Sequence, residues 1–389
     1  MKIANRMENL SPSVTLAITA LARELKAQGK DILSFSAGEP DFDTPQIVKD
    51  AAIKAINDGQ TKYTAVEGII ATKQAIINKL KKDHGLEYKL DGIVISNGAK
   101  HSLFNLFQVL IEKGDEVIIP APYWVTYPEQ VKFSDGIPVF IDTDDSTEFK
   151  ITPEQLKAVI TPKTKVLLLN TPSNPTGSVY TKEELTALGK VLEGTDILVF
   201  SDEMYEKIIY NGTKFTAAAE VSEDMYNRTV TINGLSKAVA MTGWRFGYIA
   251  TPNVALAKAL TKLQGQVTSN VNTMTQYAAI PALEGEADKD IEMMRVEFEK
   301  RKHIAVKSFN EIKGLSTIDP DGAFYLFVNI KKVSNDSIKF CSELLEQTGV
   351  ALVPGIAFGS EGYVRFSFAT DLASIQEGIK RIKEFVENK

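Results

Sequence analysis

Short, continuous apolar runs alternate along this chain with longer segments of helical length. The run at residues 166–169 and the run at 197–201 carry no alternating polar positions. Such runs are typical of strands that are buried on both faces of a parallel sheet. From residue 93 onward, strand-like and helix-like segments alternate, which predicts an α/β fold.

The periodicity and the turn residues predict the bounds of the elements. Predicted strands cover residues 32–36, 93–96, 116–119, 137–142, 166–169, 197–201, 229–232, 247–250, 325–330 and 363–368. Predicted helices cover residues 14–28, 45–58, 69–84, a segment that ends near 112, a segment that starts at 153, and residues 252–284, 288–313, 335–348 and 371–387.

A chain of 389 residues is long for one hydrophobic core, and its length predicts two lobes. We predict an irregular arm over residues 1–12 and a large domain over residues 45–287. The smaller domain is predicted to combine residues 13–44 with residues 288–389.

Composition excludes several classes of protein. A hydrophobic content of 44% and a charged content of 24% are ordinary for a globular enzyme, and a net charge of −6 argues against a nucleic-acid surface. No apolar run reaches signal-peptide or membrane-spanning length, so neither secretion nor a membrane is expected. Cys341 is the only cysteine, which excludes an internal disulfide and favours a reducing, cytoplasmic location. The three histidines stand far apart, so no metal site is expected.

One lysine stands at a position where open α/β sheets bind ligands. The predicted strand 229–232 ends in the turn pair Asn233-Gly234, and Lys237 follows three residues later. A buried amine there can form a Schiff base, and Arg245, eight residues on, can bind a phosphate. A surface lysine and a surface arginine would be the plainer interpretation, but small and aromatic residues surround both. The segment therefore predicts a pyridoxal phosphate (PLP) site.

A carboxylate ends another apolar strand. Asp202 follows the run 197–201, where poor solvation makes it require a cation. The protonated ring nitrogen of PLP is such a cation, although an aspartate there could also cap a helix. Tyr205 lies three residues on and can donate to the ring hydroxyl oxygen. At the end of strand 93–96, Gly98 opens a helix whose N-terminus can bind an anion.

Two longer strings resemble one family. They are Ser-Lys-x-x-x-Met-Thr-Gly-Trp-Arg-x-Gly-Tyr at residues 236–248 and Asn-x-Pro-x-Asn-Pro-Thr-Gly at residues 170–177. Both resemble the class I aminotransferases, and in particular the thermophile-type bacterial aspartate aminotransferases, over nearly the whole chain. The resemblance implies the PLP-dependent transferase fold, with a mostly parallel seven-stranded sheet in a large domain and a smaller α+β domain.

The resemblance also implies roles for individual residues. Lys237, Asp202 and Tyr205 would be catalytic. Cofactor-binding roles would fall to Gly98, Ala99, Lys100, Trp124, Asn174, Asp202, Tyr205, Lys237, Arg245 and, across a homodimer interface, Tyr63. Substrate-binding roles would fall to Gly38, Trp124, Asn174, Arg365, Lys100 and Thr15. Many family members carry Ser or Thr where this chain has Ala99, so only the backbone N–H of that residue is expected to act.

Arg365 would hold the α-carboxylate of the substrate, and Lys100 would hold a second carboxylate. This implies amino transfer from L-aspartate to 2-oxoglutarate in a homodimer with shared active sites. Broader ranges that include prephenate, alanine or aromatic substrates stay open, as do a PLP-dependent lyase and a binding protein that has lost catalysis. A nucleotide-binding enzyme is disfavoured because neither G-x-G-x-x-G after a strand nor a Walker A lysine is present.

Overall fold

The structure is a computed structural model that describes residues 2–8 and 10–388; residues 1 and 9 of the predicted arm lie outside the described residues. The described strands are β1 (Leu33–Ser34), β2 (Ile93–Asn97), β3 (Glu116–Ala121), β4 (Ile137–Asp142), β5 (Thr164–Asn170), β6 (Leu198–Asp202), β7 (Thr229–Gly234), β8 (Phe246–Ala250), β9 (Tyr325–Asn329), β10 (Val350–Ala351), β11 (Val353–Pro354) and β12 (Tyr363–Ser367).

Helices separate most of these strands along the chain. They are α1 (Val14–Ala27), α2 (Gln46–Asn57), α3 (Ile70–His84), α4 (Ala99–Leu110), α5 (Thr126–Phe133), α6 (Pro153–Val159), α7 (Lys182–Leu192), α8 (Glu223–Arg228), α9 (Val254–Val267), α10 (Thr273–Glu284), α11 (Asp288–Asn310), α12 (Ser337–Thr348) and α13 (Leu372–Glu387).

Seven strands form the central sheet in the order β2-β8-β7-β6-β5-β3-β4. All neighbouring pairs from β7 to β4 are parallel, and only β8 runs antiparallel to its two neighbours. This confirms the predicted α/β fold with a mostly parallel seven-stranded sheet. Because β5, β6 and β7 are adjacent and parallel, their carboxyl ends meet at one edge, where Asn170 pairs with Asp202 and Asp202 pairs with Ile232.

The sheet is buried on both faces, which explains its continuous apolar runs. In β5, Val166 and Leu168 pack into one hydrophobic cluster, while Leu167 and Leu169 pack into another. Successive side chains of a strand point to opposite faces, so each face of the sheet contributes to a separate core.

Two smaller sheets involve the C-terminal part of the chain. Strands β11, β12 and β9 form an antiparallel sheet, and β1 pairs in parallel with β10. The second pairing joins the two chain segments that sequence analysis assigns to the smaller domain. The domain boundaries themselves stay a prediction.

Some predicted bounds differ from the structure. The helical section predicted over residues 252–284 is two helices, α9 and α10, and the side chain of Asn272 caps the second by accepting from the backbone N–H of Thr275. The predicted strand 32–36 shortens to β1, because only its partner β10, itself two residues long, is available for pairing. Within the described part of the chain, no helix is long and apolar enough to cross a membrane.

Candidate active site

A cavity of about 590 Å³ opens at the carboxyl edge of the central sheet. It brings together nearly all of the predicted site residues. Its lining includes Thr15, Gly38, Ala99, Lys100, Trp124, Asn174, Asp202, Tyr205, Lys237, Arg245 and Arg365. Gly98 lies directly behind this lining, whereas Tyr63 does not line the cavity of its own chain.

Lys237 follows β7 and enters the cavity from the loop that Asn233-Gly234 begins. Its amine donates a hydrogen bond to the backbone carbonyl of Gly38. Burial and the nearby guanidinium of Arg365 lower the pKa of Lys237 to about 8. A lysine with this pKa is partly neutral near physiological pH, which suits both nucleophilic attack and proton transfer.

Asp202 is the last residue of β6 and is buried. The hydroxyl of Tyr127 donates to its Oδ2 at 2.7 Å, and the backbone N–H of Met204 donates to its Oδ1 at 3.3 Å. Burial raises the pKa of Asp202 to about 6, while the hydrogen bond from Tyr127 opposes that rise. Among the described residues no cation forms an ion pair with this carboxylate, so a bound cationic group would stabilise it.

The turn between β2 and α4 forms a small cradle with Arg245. Gly98 has a φ of +84°, and a Cβ placed on it would lie 2.6 Å from one terminal nitrogen of Arg245. The positive φ favours glycine at this position, and the absence of a side chain leaves room for the guanidinium beside the N-terminus of α4. A second terminal nitrogen of Arg245 donates to the Thr242 carbonyl at 2.8 Å. A helix N-terminus beside a fixed guanidinium suits a phosphate group.

Arg365 projects from β12 and is 2% exposed. One terminal nitrogen donates to Oδ1 of Asn174 at 3.0 Å, and the other donates to the Ser36 carbonyl at 2.7 Å. Its guanidinium lies over the rings of Tyr325 and Phe358, at 4.5 and 5.1 Å from their centroids. No carboxylate of the described chain pairs with it, so a ligand carboxylate in the cavity would find an uncompensated cation.

A further basic side chain, that of Lys100, also lines the cavity. Nζ of Lys100 is 4.8 Å from the centre of the Trp124 ring, and burial together with Arg245 lowers the pKa of Lys100. Across the opening, α1 contributes Thr15, whose buried hydroxyl has no hydrogen-bond partner. A polar hydroxyl and an ammonium group thus remain available to a ligand.

Tyr63 lies on the surface, with 88% of its area exposed. Large apolar side chains on nearby elements are exposed as well, including Ile53 and Ile56 of α2 and Ile70 of α3. Exposed apolar groups of this kind often mark an interface. The predicted action of Tyr63 across a homodimer interface stays a prediction.

Several cavity residues were missed by sequence reasoning. Ser236 and Asn170 belong to the quoted strings but had no role assigned; Asn170 donates to the Asp202 carbonyl at 3.0 Å and accepts from the Asn174 N–H at 2.8 Å. Tyr127 and Tyr325 had no local signal, because only tertiary contacts bring their hydroxyls to Asp202 and to Tyr205.

A buried ion network lies next to the loop that follows β7. We define the α3 ion network as Lys79, Asp83 and His84 of α3 with Glu206, which follows β6. Lys79 pairs with Glu206 and, at 3.2 Å, with Asp83; His84 Nε2 lies 2.8 Å from Glu206. Sequence spacing did not predict that Asp83, His84 and Glu206 would converge within 4.8 Å. The ammonium of Lys79 contacts both carboxylates, so these residues give no basis for a metal site.

The chain is similar to known proteins in both sequence and structure. The sequence model of the family "Aminotransferase class I and II" matches residues 30–382. The chain is 49% identical to an aspartate aminotransferase of Geobacillus stearothermophilus, covering 100% of this chain and 99% of the relative. It is 48% identical to an aspartate/prephenate aminotransferase of Nitrosomonas europaea, covering 98% and 99%. A solved structure of Thermus thermophilus aspartate aminotransferase with maleate superposes with a TM-score of 0.95 at 38% identity, covering 99% of each chain.

Proposed function

This chain belongs to the aminotransferase class I and II family, and from that premise we propose that it transfers the amino group of L-aspartate to 2-oxoglutarate, giving oxaloacetate and L-glutamate, with PLP as cofactor. The observation that carries the proposal is the convergence of Lys237, Asp202 and Arg365 in one cavity, each without an ion-pair partner within the described chain. These three residues thus offer an amine, a carboxylate and a guanidinium to a ligand.

The residues present fit PLP group by group. The cradle of Gly98, Ala99 and Arg245 suits the phosphate, because the N-terminus of α4 and a guanidinium meet there. Asp202 suits the ring nitrogen, and the indole of Trp124 suits the face of a flat ring. When bound, the cofactor supplies an aldehyde that forms a covalent bond with an amine and a ring that accepts electrons from the substrate α-carbon.

Lys237 has two tasks in this proposal. Its amine would hold the aldehyde group of the cofactor before substrate binds. Once free, its Nζ can accept the proton from the substrate α-carbon, since a pKa of about 8 leaves a useful neutral fraction near neutral pH. Tyr205 and Asn174 are assigned to the ring hydroxyl oxygen.

Two basic side chains in the cavity would bind the two carboxylates of a dicarboxylic substrate. Arg365, fixed by Asn174 and by the Ser36 carbonyl, would bind the α-carboxylate. Lys100 and Thr15 would bind the second carboxylate from the side of the cavity that Trp124 borders. Gly38 would border the substrate through its backbone.

A second candidate is a wider substrate range. The relative from Nitrosomonas europaea is named for aspartate and prephenate, so prephenate is a reasonable alternative acceptor. A PLP-dependent lyase stays a weaker alternative, which steady conversion of a 2-oxo acid to an amino acid would exclude. The proposal includes a homodimer, in which Tyr63 reaches the site of the partner subunit, and a cytoplasmic location.

The decisive experiment compares donors in wild type and in Lys100→Ala. We expect wild type to form glutamate from 2-oxoglutarate with aspartate as donor. Lys100→Ala should lower kcat/KM for aspartate about tenfold or more, the loss of one charge-assisted hydrogen bond, and should change alanine much less. Lys81→Ala, which removes an exposed lysine far from the cavity, serves as control. Equal losses for aspartate and alanine would refute the role of Lys100.

A further inference from the structure

We propose that Tyr127 is a positioning residue that holds the carboxylate of Asp202 in one fixed orientation toward the ring nitrogen of the cofactor. The inference rests on the proposed function, because it assumes that Asp202 faces that nitrogen. It assigns a task to a residue that no motif of the sequence singled out.

The contact between Tyr127 and Asp202 is short and buried. Tyr127 is 1% exposed, and its hydroxyl donates to Oδ2 of Asp202 at 2.7 Å. The tyrosine itself is firmly held: it belongs to α5, its N–H donates to the Trp124 carbonyl at 3.0 Å, and its ring meets the Trp124 ring edge-on at 5.3 Å. The same residue thus contacts the side chain expected on the ring face and the side chain expected at the ring nitrogen.

The two hydrogen-bond donors to Asp202 can orient its carboxylate but do not neutralise its charge. Both donors to Asp202, the Tyr127 hydroxyl and the Met204 N–H, are uncharged. They fix the carboxylate plane and leave its charge available to a cation in the cavity. Burial and Asp202 hold the pKa of Tyr127 well above its usual range, so the phenol stays a donor throughout the working pH range. A cationic donor in its place would compete with the ring nitrogen for the same carboxylate.

The plainer alternative is that Tyr127 only fills space beside Trp124. The two explanations differ in what they predict for a ligand that lacks the ring nitrogen. A packing role affects any ligand of the same shape. A role through Asp202 affects only ligands that carry the nitrogen.

The test measures dissociation constants of PLP and of its carbocyclic analogue, in which C–H replaces the ring nitrogen, by equilibrium dialysis. We use the full-length protein and Tyr127→Phe, which removes the hydroxyl and keeps the ring. The control is Tyr180→Phe: Tyr180 is also buried, its hydroxyl accepts from the Ile151 N–H at 3.0 Å, and it packs in the other hydrophobic cluster.

We expect wild type to prefer PLP over the analogue. Tyr127→Phe should shrink that preference about tenfold, the worth of one hydrogen bond to a charged group, whereas Tyr180→Phe should leave it unchanged. In an Asp202→Asn background the Tyr127→Phe change should no longer alter the preference, since the two residues act as a pair.

Three results would overturn the proposal. An equal loss of affinity for both ligands in Tyr127→Phe would indicate that Tyr127 only packs. If Tyr127→Phe changed the preference for PLP as much in the Asp202→Asn background as in wild type, Tyr127 would not act through Asp202. If wild type bound both ligands with equal affinity, the assumed pairing of Asp202 with the ring nitrogen would be wrong. A wild type that does not bind PLP would instead refute the proposed function itself.

Discussion

The segment Asp202–Glu206 presents carboxylates to two different surroundings. On the cavity side, Asp202 has only neutral donors, and burial raises its pKa to about 6. On the other side, Glu206 lies within the α3 ion network. Although burial alone would raise the pKa of Glu206, Lys79 and His84 hold it well below its usual range. Asp202 and Glu206 are four positions apart and both are almost fully buried, yet their pKa values shift in opposite directions.

The difference separates the scaffold from the site. A buried charge whose partner belongs to the same chain is already compensated, and removal of that partner destabilises the fold. Asp202, Lys237 and Arg365 lack such partners, so a ligand must supply the opposite charges. These three charged groups on the cavity side have no ion-pair partner within the described chain, whereas those of the α3 ion network pair with one another.

The largest expected effect comes from removing the amine on the cavity side. Lys237→Ala should lower the turnover of aspartate about 10⁴-fold or more, because the proposed function assigns both the attachment of the cofactor and the proton transfer to this one group. Single-turnover assays with aspartate and 2-oxoglutarate measure it. A variant that keeps appreciable turnover would contradict the assignment, and unchanged unfolding midpoints would show that the fold is intact.

An equivalent change in the α3 ion network should act on stability instead. Lys79→Met leaves Glu206 and Asp83 without their shared cation, so the free energy of unfolding should fall by about 3–5 kcal/mol while turnover per folded molecule stays near wild type. Denaturant unfolding and active-site titration measure the two quantities.

The control for Lys79 is an exposed lysine. Lys307 and Glu311 form a surface pair on α11, so Lys307→Met should cost less than about 1 kcal/mol. If Lys79→Met abolished turnover without changing stability, the proposed separation of scaffold and site would be wrong.

The smallest expected effect is a dependence of stability on pH. In the cofactor-free protein the pKa of Asp202 rises from 3.8 to about 6, so the folded protein holds a proton that the unfolded chain has released. The resulting stabilisation is complete below pH 3.8 and is lost as the pH rises through about 6. We expect wild type to lose about 1–3 kcal/mol more over this range than Asp202→Asn.

Denaturant unfolding of both proteins at several pH values provides the comparison. Glu203, whose pKa burial raises to about 7, contributes in the same direction to both proteins, so their difference isolates Asp202. Parallel curves for the two proteins would contradict the raised pKa of Asp202.

Sequence reasoning succeeded where the signal was local. Apolar runs predicted the strands whose ends carry Asn170 and Asp202, and a string of thirteen residues singled out Lys237 and Arg245. These features depend on neighbouring residues only, and the structure brings them to one cavity.

Sequence reasoning did not predict contacts between residues that are far apart along the chain. His84 and Glu206 are 122 positions apart, and Tyr127 and Asp202 are 75 apart. Nothing in the local pattern around Tyr127 distinguishes a donor to a buried carboxylate from an ordinary core tyrosine. Likewise, β10 and β11 have two residues each and exist only because β1 and β12 lie beside them.

The pairing of β1 with β10 connects two parts of the site. The Phe35 N–H donates to the Ala351 carbonyl, the Ser367 N–H donates to the Phe35 carbonyl, and Arg365 donates to the Ser36 carbonyl. Two residues after Ser36, the Gly38 carbonyl accepts from the Lys237 amine, so one short backbone segment connects that amine with the strand that carries Arg365. A displacement of this segment would therefore change the surroundings of the Lys237 amine and of the Arg365 guanidinium together.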